Sequence, residues 1–180
     1  MTRSGLLFWK RNGGSSNGKQ YSSETDFCEL FEREMSRLYL LALMLTGDEA
    51  AAEECFVLSL ESCSNSGRIS PEWAPRWATH NIIKNAIVLV KPASGNQESD
   101  EVMGLVGSRQ ATLAAVLGSM PALDRFVYVM SVLEHYSDRE CASYLGCTVS
   151  AIDPARERAV QVIADFAEEY VPQCALRASA

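Results

Sequence analysis

The stretch SDRECASYLGCTVSAIDPARERA, residues 137–159, contains the local signals that decide the fold. It begins with S-x-x-E, the spacing of a capping box, in which a serine and a glutamate satisfy unpaired N–H groups at a helix start. Gly146 follows the short helix, at a position that requires a left-handed backbone. Ile152, Ala155 and Ala159 then mark one face of a second helix. A short capped helix, a turn containing glycine and a second helix make the helix-turn-helix plan.

An ordinary helical hairpin has similar spacing, so spacing alone leaves both interpretations open. In the helix-turn-helix plan, the second helix lies in the major groove of DNA and its first turns read base edges. Pro154 falls in this helix, and a proline inside a helix costs about 3 kcal/mol. We therefore predict that Asp153 is the N-cap and Pro154 the first helical residue, so that the helix begins about one turn late. A carboxylate there favours the helix and disfavours a phosphate.

Apolar residues spaced three and four apart predict helices along the rest of the chain, and no segment alternates with period two for long enough to form a strand. The predicted helices of the first half are Glu24–Leu45, Glu49–Cys63 with Asp48 as N-cap, and Pro71–Val90 with Ser70 as N-cap. Pro75 either falls in the first turn of the third helix or moves its start later. In the second half, helices begin near Ser108 and at Pro121, and the last helix ends near Tyr170.

Two polar stretches, residues 10–23 and 92–101, are rich in glycine and serine and have no apolar period. Such segments bury too little surface to offset the entropy of ordering. We therefore predict an all-α protein of two small helical domains joined by a flexible linker, the second domain being a helix-turn-helix. The predicted boundaries are a tail over 1–23, a first domain over 24–91, a linker over 92–107, a second domain over 108–171 and a tail over 172–180.

The charge is unevenly distributed along the 180 residues, whose net charge is −7. Residues 1–23 contain four basic and no acidic side chains, whereas residues 24–90 contain five basic and eleven acidic ones. Residues 120–180 contain five basic and nine acidic side chains. Affinity for DNA comes largely from Lys and Arg on phosphates, so two acidic domains are unusual for a DNA-binding protein.

Several classes of protein are disfavoured by what the sequence lacks. It has no phosphate-binding glycine loop, no nucleophile with an evident base and no paired carboxylates, so we expect no enzyme, cofactor or small-molecule substrate. The six cysteines form no C-x-x-C motif, which favours reduced, largely buried thiols over a zinc site. No apolar run approaches a membrane span, and Leu6–Trp9 is too short for a signal-peptide core, so we expect a cytoplasmic protein.

Residues 120–147, MPALDRFVYVMSVLEHYSDRECASYLGC, resemble the promoter-binding domain of bacterial extracytoplasmic-function sigma factors. That family typically shows Leu-Pro-x-x-x-Arg, an apolar helix, Tyr-Ser and then Glu-x-Ala-x-x-Leu-Gly, and Arg158-Ala159 matches a later Arg-Ala. The first half also resembles the family, in the same order, at Phe31, Leu38, Ala42, Leu45-Thr-Gly-Asp48, Ala52-Glu-Glu54, Arg76-Trp77 and Ile82-Ile-Lys-Asn85-Ala-Ile87.

The resemblance implies a transcription initiation factor that binds core RNA polymerase and promoter DNA and is regulated by an anti-sigma factor. It implies a polymerase-binding surface on the helix after Gly47-Asp48, at Glu53, Glu54, Leu58 and Glu61. It also implies that the next helix helps to open the duplex. The DNA-binding residues that it implies are Lys84, Asn85, Arg139, Thr148, Ser150, Arg156 and Arg158.

The sequence departs from the family where DNA would be contacted. After Asn85 the family usually has Asp and then several arginines, but residues 86–91 contain one lysine and no arginine. The second helix of the helix-turn-helix has only Arg156 and Arg158 against Asp153 and Glu157. These arginines could equally form a solvated face with i to i+4 partners, and Trp73 and Trp77 fit core anchors better than stacking platforms. The alternative function is a sigma-like decoy or adaptor that binds an anti-sigma factor or another protein and has lost DNA binding.

Overall fold

The computed structural model describes residues 21–66, 69–92 and 113–177, with side chains to residue 168. This part of the chain contains no strand, which confirms the all-α prediction. The predicted linker from residue 93 onward, residues 1–20 of the predicted tail, and Ser108 lie outside the described residues. The α-helices are α1 (Glu24–Arg33), α2 (Met35–Thr46), α3 (Glu49–Ser64), α4 (Ala74–Val90), α5 (Leu113–Ser119), α6 (Ala122–Tyr128), α7 (Asp138–Leu145) and α8 (Ile152–Arg177). A π-helical turn (Val129–Leu133) continues α6, and a 3-10 turn (Val149–Ala151) precedes α8.

Two predicted helix caps are confirmed, and a third cap was not predicted. The Asp48 side chain accepts a hydrogen bond of 2.8 Å from the Ala51 N–H, and Ser137 forms a capping box with Glu140. Ser23, which the sequence places in a tail, forms a second capping box with Asp26 at the start of α1. The neighbouring Ser22 N–H donates to the Ile69 carbonyl at 2.6 Å. The folded region therefore begins before the predicted boundary.

Two predicted helices of the first half are wrong in detail. The single helix over Glu24–Leu45 is broken at Glu34, where φ is −97° and ψ is 12°. The third helix begins at Ala74 and not at Pro71, because residues 71–73 form a turn in which the Trp73 N–H donates to the Ser70 carbonyl at 2.9 Å. Pro75 thus lies in the first turn of α4, where a helix needs no N–H donor.

The predicted start of the second helix of the helix-turn-helix is also wrong. Asp153 is not its N-cap, because a 3-10 turn leads directly into α8 at Ile152. The Ala151 N–H closes this turn on the Thr148 carbonyl at 3.0 Å. Pro154 is then the third residue of α8, and the first residues of a helix have no intrahelical acceptor for their N–H groups. The helix continues past Tyr170, the predicted end, to Arg177.

The helices form two blocks, which we call the first block (21–92) and the second block (113–177). In the first block, α2, α3 and α4 pack together, and α1 packs mainly on α3 and also contacts α2 and α4. In the second block, α6 packs on α8, and α7 contacts α8 directly and also contacts the π-helical turn and the 3-10 turn. The largest fully buried side chains of the two blocks are Phe27, Phe31, Leu38, Leu41, Leu45, Ile82, Ile83, Leu117, Phe126, Val127, Met130 and Ile152.

Arg125 of α6 joins the two blocks. Its buried guanidinium donates to the Leu45 and Thr46 carbonyls at the end of α2, at 2.9 Å and 3.0 Å, and to the Gly118 carbonyl at 3.1 Å. The last carbonyls of a helix lack intrahelical partners, so one cation satisfies helix ends from both blocks. Burial lowers the pKa of Arg125. We call this contact the Arg125 clasp.

Gly47 makes the close approach at the Arg125 clasp possible. Its φ is +72°, a left-handed conformation that other residues adopt only with strain. A Cβ at this position would lie 2.7 Å from Arg125 Nη1 and 3.0 Å from the Gly118 Cα. Two further contacts join the blocks, an Arg37–Glu134 ion pair of 3.0 Å and a His80–Tyr144 hydrogen bond of 2.5 Å. The backbones of the two blocks therefore touch where the sequence has glycines.

Candidate nucleic-acid interface

The turn between α7 and α8 has the geometry expected of a helix-turn-helix. Gly146 ends α7 with φ 65° and ψ 28°, and the Cys147 N–H donates to the Ala142 carbonyl at 3.1 Å. A Cβ at Gly146 would meet nothing within 4 Å, so the backbone conformation and not space favours glycine here. The helices α7 and α8 contact each other, and Leu145 of α7 and Ile152 of α8 are both buried. The turn therefore fixes α8 against α7 and leaves its first residues at the surface.

Three of the predicted DNA-binding residues are exposed around this turn. Thr148, just before the 3-10 turn, and Ser150 within it are both exposed, and their side-chain oxygens are 3.0 Å apart. Arg139 is exposed in the first turn of α7. Within the part of the chain that the structure describes, Arg139 forms no ion pair. These three side chains are available to a nucleic acid.

Arg156 and Arg158, the two arginines of α8 whose side chains the structure describes, are engaged within the second block. Arg158 forms a bidentate ion pair with Asp124, in which Nε donates to Oδ2 at 2.8 Å and Nη2 donates to Oδ1 at 2.6 Å. Asp124 is only 2% exposed, so its charge is compensated by this arginine. The hydrogen bond to Asp124 raises the pKa of Arg158. Arg156 pairs with Asp138 of α7, and with Asp153 at 3.0 Å.

The outward-facing surface over the first turns of α8, from residue 149 to residue 160, has no unpaired cation. Its exposed residues include Val149 just before the helix, then Asp153, Glu157 and Val160 at successive turns. We call these four residues the α8 outer face. Phosphate affinity depends on basic side chains, and Arg156 and Arg158 in the first turns of α8 are already paired with carboxylates. The α8 outer face is therefore acidic and apolar.

The predicted DNA-binding pair in α4 is divided by the packing. Lys84 is exposed, whereas Asn85 is half-buried and donates from Nδ2 to the Ser59 Oγ of α3 at 3.0 Å. Asn85 therefore holds α4 against α3 in this structure, and only Lys84 projects into solvent. The sequence could not distinguish these roles, because both residues follow the same buried Ile82-Ile83 pair.

The two tryptophans of the first block differ in their surroundings. Trp77 is an anchor as predicted: its Nε1 donates to the Ser66 Oγ at 2.8 Å, and its ring stacks on His80 with centroids 5.0 Å apart. Trp73 is 57% exposed, so its prediction as a core anchor is wrong. The Arg76 guanidinium lies 5.5 Å from the Trp73 ring centroid, a cation–π contact at the surface.

The predicted polymerase-binding residues lie together on one side of α3. Glu53, Glu54, Leu58 and Glu61 are exposed, and Val57, which was not predicted, is 54% exposed among them. We call these five residues the α3 outer face. The opposite side of α3 is buried through Ala52, Cys55, Ser59 and Cys63. None of the three carboxylates forms an ion pair with the described residues.

The described cysteines are free thiols, and His80 is half-buried beside Tyr144. Cys55, Cys63 and Cys141 are buried free thiols, and burial raises their pKa to about 11, 12 and 11. Cys28 and Cys147 are half-buried, and Cys174 lies beyond the described side chains. Burial, with a smaller effect of Lys84, lowers the pKa of His80. The side chains that the structure describes include no cluster that could hold a metal ion. None of its helices is long and apolar enough to cross a membrane.

Residues 110–162 match the family model described as Sigma-70, region 4. The matched stretch contains α5 to α7 and the first part of α8, and thus the whole helix-turn-helix. The second block thus contains most of the stretch that is similar to region 4 of sigma factors, as the sequence resemblance predicted. This family is a transcription-factor domain and not an enzyme family. The match does not include the first block, and no curated protein matches the chain.

Proposed function

We propose that this chain is a sigma factor of the extracytoplasmic-function type, which directs core RNA polymerase to promoters in the cytoplasm. The observation that carries the proposal is a region 4 match over residues 110–162 that is folded as a helix-turn-helix. The ordered motifs of the first block, from Leu45-Thr-Gly-Asp48 to Asn85, support it. In this proposal, residues 24–91 dock on the polymerase, residues 108–171 approach the promoter and residues 92–107 connect them.

The α3 outer face is the proposed contact with polymerase. It combines exposed apolar surface at Val57 and Leu58 with carboxylates that have no intrachain cation. Apolar side chains flanked by unpaired charge are typical of interfaces, where burial supplies affinity and charge supplies orientation. A basic surface on the polymerase would complement this face.

The proposed DNA contact is made by Arg139, Thr148 and Ser150, with Lys84 in the first block. Arg156 and Arg158 do not enter the proposal, because Asp138, Asp153 and Asp124 already pair with them. A single unpaired cation beside the turn supplies few phosphate contacts. DNA binding by the chain alone is therefore expected to be weak. We expect the chain to reach promoters mainly through its binding to polymerase.

The test is binding of the full chain to core polymerase, followed by transcription from a candidate promoter. The double variant Glu53→Lys/Glu54→Lys reverses two charges of the α3 outer face and should weaken polymerase binding by about 10–100-fold. A matched control is Glu29→Lys/Glu32→Lys, which makes the same charge change at exposed positions of α1. Equal losses in both variants, or no polymerase binding by the wild-type chain, would contradict the proposal.

A second candidate function is an adaptor that has kept the sigma fold and binds a protein through the second block. The acidic and apolar α8 outer face and the paired arginines favour it. Capture of the tagged chain from its native cell distinguishes the two candidates. Polymerase subunits in the captured material support the sigma factor, whereas an anti-sigma-like protein without polymerase supports the adaptor.

A further inference from the structure

We propose that residues 1–20 of this chain dock on the α3 outer face and compete there with the partner of that face. The docking is independent of the function proposed above, and only the identity of the competing partner, core polymerase, rests on it. The occupant is a named segment of the chain that lies outside the described residues. Its charge, its apolar content and the place where it joins the folded region support the proposal.

The α3 outer face has the chemistry of an unoccupied docking surface. Val57 is 54% exposed and Leu58 36% exposed, although both belong to a helix whose opposite side is fully buried. Glu53, Glu54 and Glu61 surround them, and α3 contains no basic residue that could neutralise these carboxylates. A complementary occupant must therefore combine apolar side chains with cations.

Residues 1–20 have this combination. They contain four basic side chains, Arg3, Lys10, Arg11 and Lys19, and no acidic one. The apolar run Leu6–Trp9 lies immediately before Lys10-Arg11. By contrast, residues 24–90 and 120–180 have more acidic than basic residues, so this is the most basic stretch of the sequence. Long-range attraction would draw it to the acidic surface of the first block.

The segment also joins the folded region near the correct end of α3. The Ser22 N–H donates to the Ile69 carbonyl at 2.6 Å. Ile69 is three residues after Ser66, whose hydroxyl donates to the Ser62 carbonyl at the end of α3. Three residues span at most about 11 Å, so residue 21 lies close to the carboxyl end of α3. The eight helical steps from Glu61 back to Glu53 cover about 12 Å of helix. Lys10 is eleven residues before Tyr21, and an extended chain of that length reaches about 36 Å.

The α8 outer face is a weaker candidate for the same segment. Of its two carboxylates, Asp153 is already paired with Arg156 at 3.0 Å, which leaves Glu157. The α3 outer face offers three carboxylates that have no pair among the described residues. More unpaired charge and the nearby point of attachment favour α3.

Zero-length carbodiimide cross-linking of the full chain, read by mass spectrometry, tests the docking. The expected links join Lys10 or Lys19 to Glu53, Glu54 or Glu61, and they should be lost at about 0.5 M salt, where screening shortens the reach of charges to a few ångströms. The control chain Glu29→Gln/Glu32→Gln, altered on α1, should keep the links. Links to Glu157 instead, or no links at low salt, would overturn the docking.

Polymerase affinity tests the competition separately. Neutralising the segment with Arg3→Gln, Lys10→Gln, Arg11→Gln and Lys19→Gln should tighten binding of core polymerase about 10-fold, because a tethered competitor acts at an effective concentration on the order of 1 mM. Cross-links to α3 with unchanged polymerase affinity would overturn the competition and leave the docking. Cross-links to α3 in a chain that binds no polymerase in either form would instead contradict the proposed function.

Discussion

The helices α3 and α8 each present an outer face to solvent, but among the described residues the charged side chains of α3 are unpaired and the arginines of α8 are paired. On α3, three exposed carboxylates have no pair among the described residues, and α3 contains no basic residue. On α8, Arg156 and Arg158 are the only basic residues of the described side chains, and both are paired with carboxylates of their own block. The difference shows that a helix-turn-helix can keep its fold while its cations are used inside the domain. Charge available to a partner, and not charge counted along a helix, decides what a surface can bind.

The largest expected loss of stability comes from removing the Arg125 clasp, because this contact joins the two blocks that contain α3 and α8. Arg125→Ala removes the Arg125 clasp and leaves the Leu45 and Thr46 carbonyls buried without a donor. We expect the free energy of unfolding to fall by about 3–5 kcal/mol, since each buried hydrogen bond to a charged group contributes about 1.5–3 kcal/mol and the bonds are not additive. Urea unfolding followed by circular dichroism measures this.

The control for the clasp is Arg33→Ala, which removes a guanidinium whose side chain is 66% exposed beside Glu34. A surface change of this kind is expected to alter stability by no more than about 0.5 kcal/mol. A loss in Arg125→Ala as small as in Arg33→Ala would show that the two blocks are not held by this contact.

A smaller effect is expected when the pairing on α8 is broken. Asp124→Asn keeps the shape of the side chain and removes the charge that holds Arg158. We expect a loss of about 1–3 kcal/mol in stability, because a charge-assisted pair becomes a neutral one. The freed Arg158 should also make DNA binding steeper in salt, by about one in the slope of log K against log salt.

The matched change for Asp124→Asn is Asp165→Asn, also on the second block, where the carboxylate is exposed and accepts from Gln161 at 2.7 Å. Its stability and DNA affinity should stay near those of the unaltered chain. If both variants gain the same salt dependence, net charge and not the Arg158 pair controls DNA binding.

The two capping boxes allow the same serine-to-alanine change to be made in each block and its effect on stability to be compared. Ser23 caps α1 in the first block and Ser137 caps α7 in the second. Each serine-to-alanine change should lower the free energy of unfolding by about 1 kcal/mol. Thermal or urea unfolding of the two single variants measures the losses. A loss at Ser137 with none at Ser23 would mean that α1 frays without affecting the rest of the first block.

The smallest expected effect is a pH dependence at the His80–Tyr144 contact between the blocks. Burial, with a smaller effect of Lys84, lowers the pKa of folded His80 below its ordinary value of about 6.5. The unfolded chain then binds more protons than the folded chain below pH 6.5, so this histidine contributes stability that decreases as the pH falls toward its folded pKa. Replacing it in His80→Gln should reduce the loss of stability between about pH 7 and pH 5. An identical pH profile for both chains would exclude this source.

The sequence predicts those features of the fold that depend on neighbouring residues. The Ser137–Glu140 box, the Asp48 cap and Gly146 each act within four residues, and all three are confirmed. The match over residues 110–162 likewise confirms the resemblance of the second block to a sigma-factor domain. A local pattern can also fit more than one structure. At Pro154, a 3-10 turn before α8 places the proline in the first turn of the helix, which the N-cap prediction did not consider.

The features that the sequence does not predict depend on residues far apart in the chain. Arg158 and Asp124 are 34 positions apart, and Arg125 and Leu45 are 80 apart. Nothing in the local pattern of Arg158 distinguishes a phosphate contact from an internal ion pair. Asn85 turns toward Ser59 for the same kind of reason, since the packing of α4 on α3 decides its direction. Folding therefore decides which of the predicted site residues remain available to a partner.

The most direct test of the central claim compares Arg156→Ala with Arg139→Ala in the full chain. Both arginines lie in the helix-turn-helix, but Arg156 is paired with Asp138 and Asp153, whereas Arg139 has no ion pair among the described residues. DNA affinity measured by fluorescence anisotropy over a salt series should lose about one unit of slope in Arg139→Ala and stay unchanged in Arg156→Ala. A loss of slope in Arg156→Ala with none in Arg139→Ala would contradict the account.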